Sequence, residues 1–316
     1  MNTATGSSND FTNYKKVWFT IEFEAQQMGL DIRLNDITVF NIDDTGFTTL
    51  ELPVNEYLIN GDNEISVTVH PLFDDNDEQL DNFVEGTKVE VGLYVREDSD
   101  PSGKRRLIDK VLIRPEIAYL DSSNEPVARF IGDIKSENHT SIQITKDAHV
   151  LEYPGYGIYK KQVKTSWLIK NVDTILPRWA WQDGLIISDD PKTYESLLSA
   201  YSELHKAFLN KNLDMIKQIA YSRSKELAIA YYLGEPDDGF AYSGLGKDID
   251  HPTIKLYEKL ALEDAKLDIL ANGKLARITD AGHIQPILFI DHETGQPYLN
   301  QFLWYKNTNN EWVLIR

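Results

Sequence analysis

The sequence predicts an α+β protein in which an N-terminal antiparallel β-sandwich is followed by a helix-backed curved antiparallel sheet. Three observations lead there. Residues 1–150 carry short alternating runs of β-branched and aromatic residues separated by turn residues, with no helical periodicity. From Asp190 the apolar positions recur at helical spacing, and from Leu267 to Arg316 the strand pattern returns. Helices grouped ahead of strands, rather than alternating with them, give the α+β order. The predicted division is an acidic sandwich over 1–150, an aromatic bridge over 151–190 and an α+β domain over 191–316.

In chain order, the first strand lies within Val17 to Glu24, and Asp36 to Asn41 and Phe47 to Leu52 follow, with Asp43-Asp44-Thr45-Gly46 between them as a turn signal. Asn60-Gly61-Asp62 is a second turn, after which Ile65, Val67 and Val69 alternate strictly as in a half-buried strand. Thr87 to Arg96 and Arg105 to Arg114 pair across a polar loop, and Phe130 to Ile134 and Thr140 to Thr145 add two strands. The bridge is punctuated too densely by Gly and Pro for a helix, yet Lys164 to Ile169 is strand-like. Asp190 is placed to cap a helix with Pro191 at its first position, where the missing N–H has no partner to lose.

Tyr194, Leu197, Leu198, Tyr201, Leu204 and Phe208 give that helix one apolar face, and Asn210-Lys-Asn212 ends it. A second helix starts at Leu213, a third apolar stretch runs from Glu226 to Leu233, and Gly239 to Gly246 reads as a mobile loop. A further helix is expected from His251-Pro252 to about Ala265. Strands are then expected at Leu267 to Ala271, Leu275 to Thr279, Gln285 to Asp291, Tyr298 to Tyr305 and Trp312 to Ile315, the last two forming a hairpin across Asn307-Thr-Asn-Asn310.

Charge is placed unevenly. Of the formal net charge of −18, residues 1–100 hold 21 Asp and Glu against 5 Lys and Arg. A field of that sign repels phosphate backbones and anionic lipid, so nucleic acid and membrane are excluded as partners and a basic protein is favoured. The absence of cysteine excludes disulfides, thiolate metal sites and cysteine nucleophiles. With no apolar run of 18 residues and a polar stretch from Met1 to Asp10, a cytoplasmic chain is expected, unless a leader has been removed.

Two groups of residues are candidates for contact with a partner: the acidic run with Asp74, Asp75, Asp77, Glu78, Asp81 and Glu85, and the pair Trp179 and Trp181. The acidic run places Asp74, Asn76, Glu78 and Glu85 at positions 1, 3, 5 and 12 of a calcium-binding loop, but Gln79 stands where the tight turn needs glycine. It therefore reads as a solvated acidic loop or a docking surface for a basic partner, not as a metal site. The tryptophans suit either a stacking platform for sugar or protein, or an aromatic plug between domains. The seven histidines show no ligand spacing; His205 with Asp291 or His292 is the best available acid–base pair, in positions equally suited to structural residues. No nucleophile elbow, phosphate loop or dinucleotide fingerprint is present, and no cofactor is expected.

The helix ending in Phe208-Leu-Asn-Lys-Asn-Leu-Asp-Met-Ile216, the helices after it and the sheet closing on Glu311-Trp-Val-Leu-Ile315 resemble the nuclear transport factor two-like superfamily over residues 190–316. The resemblance implies a cone with space between helices and sheet, in a superfamily that holds enzymes, transport adaptors and immunity proteins. Acidic, cysteine-free and without a catalytic signature, the whole chain resembles bacterial toxin-immunity proteins. That resemblance implies a non-catalytic protein that neutralises a secreted toxin by occlusion; a carbohydrate-binding protein and a small-molecule enzyme using the C-terminal cavity are the alternatives.

Overall fold

The computed structural model describes residues 9–74, 78–97, 105–115, 128–130, 140–145, 162–247, 249, 251–280, 284–298 and 300–316. These form two compact units, one ending at Arg178 and the other starting at Trp179. The chain is α+β; among the described residues there are antiparallel sheets in both units and four α-helices in the second.

The first unit contains β1 (Val17–Leu34), β2 (Ile37–Pro53), β3 (Gly61–His70), β4 (Lys88–Glu97), β5 (Arg106–Ile113), β6 (Ala128–Phe130), β7 (Thr140–Thr145) and β8 (Gln162–Val172). The last of these lies in the segment whose composition suggests a bridge. The strands expected as two packed sheets are hydrogen-bonded into one, in the order β6-β5-β4-β1-β3-β8-β7, with β2 on the other edge of β1.

Strand β1 explains that arrangement. Its inward side chains are Val17, Phe19, Ile21, Phe23 and Ala25, then Met28, Leu30, Ile32 and Leu34, none more than 3% exposed. The inward positions are odd at first and even afterwards, so one residue must be absorbed between the two runs. Gln27, at φ +56°, lies between the two runs, and the register with β2 shifts between Met28 and Leu30. Partnership changes at the same place: Val17–Gln26 pairs with β4, and Gly29–Leu34 pairs with β3. Residues 71–87, which connect β3 to β4, therefore leave and return at the bulge, where Thr87 Oγ1 donates to the Val84 carbonyl at 2.5 Å and approaches the Gln27 carbonyl at 3.5 Å.

The bulge also corrects the sequence expectation around Asp43-Asp44-Thr45-Gly46. This stretch is not a turn but the middle of β2, running opposite the irregular part of β1. The turn falls instead at Asn35 and Asp36, both at positive φ, as a two-residue hairpin between Leu34 and Ile37 requires. Gly29 sits where only hydrogen fits: a Cβ there would lie 1.9 Å from the His70 ring and 2.6 Å from the Asp43 carbonyl.

The second unit opens with α1 (Pro191–Leu209), whose N-cap Asp190 accepts from the Thr193 N–H at 2.8 Å, followed by α2 (Leu213–Ile219), α3 (Tyr221–Ala230) and α4 (Pro236–Ser243). The fourth helix occupies the stretch expected as a loop. Gly239 is there for packing, since a Cβ would meet the Ser224 carbonyl of α3 at 1.9 Å; Gly244, at φ +78°, ends the helix. No helix follows His251-Pro252. His251 Nδ1 accepts from the Ile254 N–H at 3.2 Å, and β9 (Ile254–Leu256) pairs with β12 (Phe289–Asp291). The expected meander is split: β10 (Lys266–Leu270), β11 (Leu275–Thr279), β14 (Trp304–Lys306) and β15 (Trp312–Leu314) form one sheet, and β13 (Pro297–Tyr298), β12 and β9 another. The closing hairpin turns where expected, but its first arm is the short β14 and not a strand reaching back to Tyr298; the turn is held by Asn307 Oδ1 accepting from the N–H groups of Asn309 and Glu311.

Two outcomes follow from these contacts. Gly29→Ala should lower the unfolding free energy of the first unit by about 1–3 kcal/mol in urea titrations. Adding His70→Ala should recover only part of that loss, because the Asp43 carbonyl remains 2.6 Å from the new methyl. At α1, the Thr193 N–H bond holds the Asp190 carboxyl below its ordinary value of 3.8. Its contribution is therefore present above about pH 4 and lost as pH falls through the lower folded value. Asp190→Asn keeps the cap without the titration, so acid unfolding of the variant should be less steep below pH 4, as followed by helical circular dichroism.

Candidate functional site

The described part of the acidic run is solvent-facing. Asp74, Glu78, Asp81 and Glu85 are all exposed, while Phe83 is buried as the anchor of the connection. Asp74 Oδ1 accepts from the Glu78 N–H at 3.0 Å, the Asp74 N–H donates to the Glu78 carbonyl at 2.9 Å, and Phe73 bridges to Gln79. Asp74 thus spends one carboxylate oxygen on closing a local turn. Asp75 and Asp77 lie outside the described residues. No group of three or more potential metal ligands occurs among the described residues.

Trp179 and Trp181 face inward. They are 1% and 5% exposed, so neither ring offers a face to a sugar or a partner. Both lie within the second unit, where the Arg316 guanidinium sits 5.9 Å from the Trp179 ring centre. Arg316 Nη1 donates to Glu226 Oε2 at 2.8 Å, and Glu226 Oε1 accepts from the Ala180 N–H at 2.9 Å. Glu226 is 7% exposed and holds the start of the unit against its end. These contacts make the tryptophans part of the core of the second unit.

The acid–base candidates are not brought together. His205 is buried, and its Nε2 is bonded to the Tyr257 carbonyl at 3.0 Å. Asp291 accepts from the Glu293 N–H at 2.9 Å, and this bond holds its carboxyl below the ordinary range. His292 is exposed. His139, His149 and His283 lie outside the described residues.

The interior of the second unit is packed. Leu197, Tyr201, Leu204 and Phe208 of α1 meet Ile278, Phe289, Phe302 and Trp304, all buried. The Tyr201 hydroxyl, fully enclosed, donates to Gln285 Oε1 at 2.7 Å and lies 3.0 Å from the Phe302 carbonyl; burial raises its pKa well above the ordinary tyrosine value. A buried hydroxyl so partnered is a structural tie, not a proton donor for catalysis. Outside this core lies an open groove of about 530 Å³, lined in part by Met215, Tyr221 and Trp312, with Glu203 and Glu311 as its carboxylates.

On the first unit, an open groove of about 360 Å³ crosses the outer face of β1, β2, β4 and β5. Its charges are already matched. Arg105 bridges Glu22 and Glu51, Lys110 pairs with Glu90, and Lys88 lies 3.3 Å from Glu24. Partial burial raises the Glu22 carboxyl, against the opposing pull of Arg105. Arg105 also stacks 4.7 Å above the Tyr94 ring, which in turn lies over Gly92. Such exposed pairs contribute about 0–1 kcal/mol each and leave no cation or carboxylate uncommitted.

The feature that sequence reasoning missed is the outer edge of β2. The Val54 N–H donates to the Phe19 carbonyl, so along the regular ladder the backbone groups of Leu52, Leu50 and Thr48 point toward β1 and those of Glu51, Thr49 and Phe47 point away. Among the described residues nothing pairs with that edge from Thr45 to Pro53. Phe47 is 63% exposed and Leu50 37%. The signal was present in the sequence, since Ile37–Pro53 carries Asp43, Asp44 and Glu51 but no Lys or Arg.

No family model, curated protein or solved structure matches the chain. No helix among the described residues is long and apolar enough to cross a membrane.

The Glu226 contacts generate one outcome. Glu226→Ala strands a buried guanidinium and frees the Ala180 N–H, and should destabilise the second unit by about 3–5 kcal/mol in chemical denaturation. Hydrogen exchange in β1 to β5 should be unchanged, because the lost bonds lie wholly within the second unit.

Proposed function

We propose that this chain is a protein-binding protein with no reaction of its own, which docks a basic partner on its acidic first unit in the manner of an immunity protein that occludes a toxin. One observation carries the reading: 21 of the 50 acidic residues but only 5 of the 32 basic ones fall in residues 1–100. The described members of the acidic run are exposed. A surface of that kind accelerates encounter with a cationic protein and disfavours anionic ones.

The second unit fits this reading as a scaffold. The packing of α1 against β11 and β14 supports reading this unit as a nuclear transport factor two-like scaffold, and its filled interior supports a structural role. The burial of Trp179 and Trp181 counts against that pair as a stacking platform for sugar.

The test uses the product of the adjacent reading frame, immobilised, and the full chain in solution. Association should slow steeply between about 50 and 300 mM salt, as expected for steered encounter. The triple reversal Glu78→Lys, Asp81→Lys, Glu85→Lys should lower the association rate by about tenfold or more, with little change in dissociation. Absence of binding, or an association rate indifferent to both salt and reversal, would remove the proposal.

A further inference from the structure

We infer that the outer edge of β2, from Thr45 to Leu52, receives an extended basic segment of a protein partner as an added strand. This rests on the reading of the first unit as a surface for a basic partner and says where the contact is made.

Backbone geometry supplies the first argument. The N–H and C=O groups of Phe47, Thr49 and Glu51 point away from β1, and no described residue bonds to them. An extended chain placed alongside at the ordinary strand spacing would satisfy them in register, which is how added-strand recognition obtains its affinity.

Side chains supply the second. Phe47 pairs across with Gln26 on the outer face, and Leu50 pairs with Phe23 on the core face. The exposed Phe47 and Leu50 therefore flank the edge on opposite faces, and a single added strand would cover both. The core is incomplete at this border, since Phe23 is buried while its cross-strand neighbour Leu50 is 37% exposed.

The third argument decides the occupant. An edge that must remain unpaired is commonly guarded by Lys or an interior Pro. Strand β2 has no Lys or Arg, and its only Pro is the terminal Pro53. Its charged residues are Asp43, Asp44 and Glu51. A second copy of the chain would bring two such acidic units together, whereas a strand alternating apolar and basic residues would set apolar side chains beside Leu50 and bring cations into the field of residues 1–100, where 21 acidic residues stand against 5 basic ones.

The experiment uses the full chain and blocked nine-residue peptides of alternating Val and Lys, with a Val and Glu counterpart. The Val and Lys peptide should bind at least tenfold more tightly than its acidic counterpart. On binding, amide exchange should slow at Phe47, Thr49 and Glu51, while Thr48, Leu50 and Leu52, whose N–H groups face β1, should be protected already. Thr49→Pro removes an outward donor without touching the ladder to β1 and should weaken binding about tenfold. Peptides N-methylated at alternate residues give the same information on the unaltered chain: one of the two series should bind and the other should not.

If the basic peptide binds while those three amides exchange as before and both N-methylated series bind equally, the edge is not the site, and the acidic-surface reading stands without it. If the two peptides bind alike at low salt, both readings fall. Concentration-dependent dimerisation abolished by Thr49→Pro would assign the edge to a second copy and overturn the inference.

Discussion

A single inserted residue in the longest strand sets the form of the first unit. The inward side chains of β1 change parity at Gln27, and without an extra residue there one of the two apolar runs would face water. Burying a run of four or five such side chains is worth many times the strain of one residue at positive φ, so the bulge is dictated by the pattern. Everything beside β1 follows from it. One edge is divided between β4 and β3, the connection between those strands is delivered to the bend, and the other edge is occupied along its length by β2. The acidic run is displayed where it is because the bulge places the ends of β3 and β4 there. Residue β2 Thr45 to Leu52 is an outer edge because β1 has no third side.

The second unit depends on a different constraint, the enclosure of polar groups in a packed interior. Asp268 and Arg277 stand directly opposite on β10 and β11, buried and bonded at 2.7 Å, and Tyr201 ties α1 to Gln285 and the Phe302 carbonyl. Each of these groups would be destabilising alone and is tolerated because its partner is held by a neighbouring strand.

Much of this was legible in the sequence. Local signals read correctly where they were self-sufficient: the Asp190-Pro191 start of α1, its stop at Asn210, the alternation of β3, the span of β7 and the hairpin at Asn307. Reading failed where tertiary contact redefined a residue. Gly239 looked like loop material but lets α4 approach α3, and Asp43 to Gly46 had turn composition but lies opposite an irregularity in another strand. His251 to Ala265 has residues compatible with a helix, yet pairing of β9 with β12 overrides that preference. Of the site residues, the exposure of Asp74, Glu78, Asp81 and Glu85 agrees with their solvated reading, while Trp179 and Trp181 could not be placed from composition, because burial of an aromatic pair is a property of what surrounds it. The β2 edge was hidden for a related reason: composition shows that a strand lacks guards, but only topology shows that it has an unpaired side.

Under the proposed reading, charge and edge divide the work of association between them. Exposed acids beyond hydrogen-bonding reach of a partner act over about a Debye length and raise the rate of encounter, but add little to residence. Backbone pairing along a strand edge acts only at contact, and so sets the rate of departure. A protein that must neutralise a dangerous partner needs both, fast capture and slow release, and needs no catalytic group for either. In this chain the acids are on a connection whose two ends the bulge fixes, and the edge is on a strand whose neighbour the bulge also shapes. A change at Gln27 that leaves the apolar core intact would therefore alter capture and release together, whereas changes to the acids or to the edge alone should separate them.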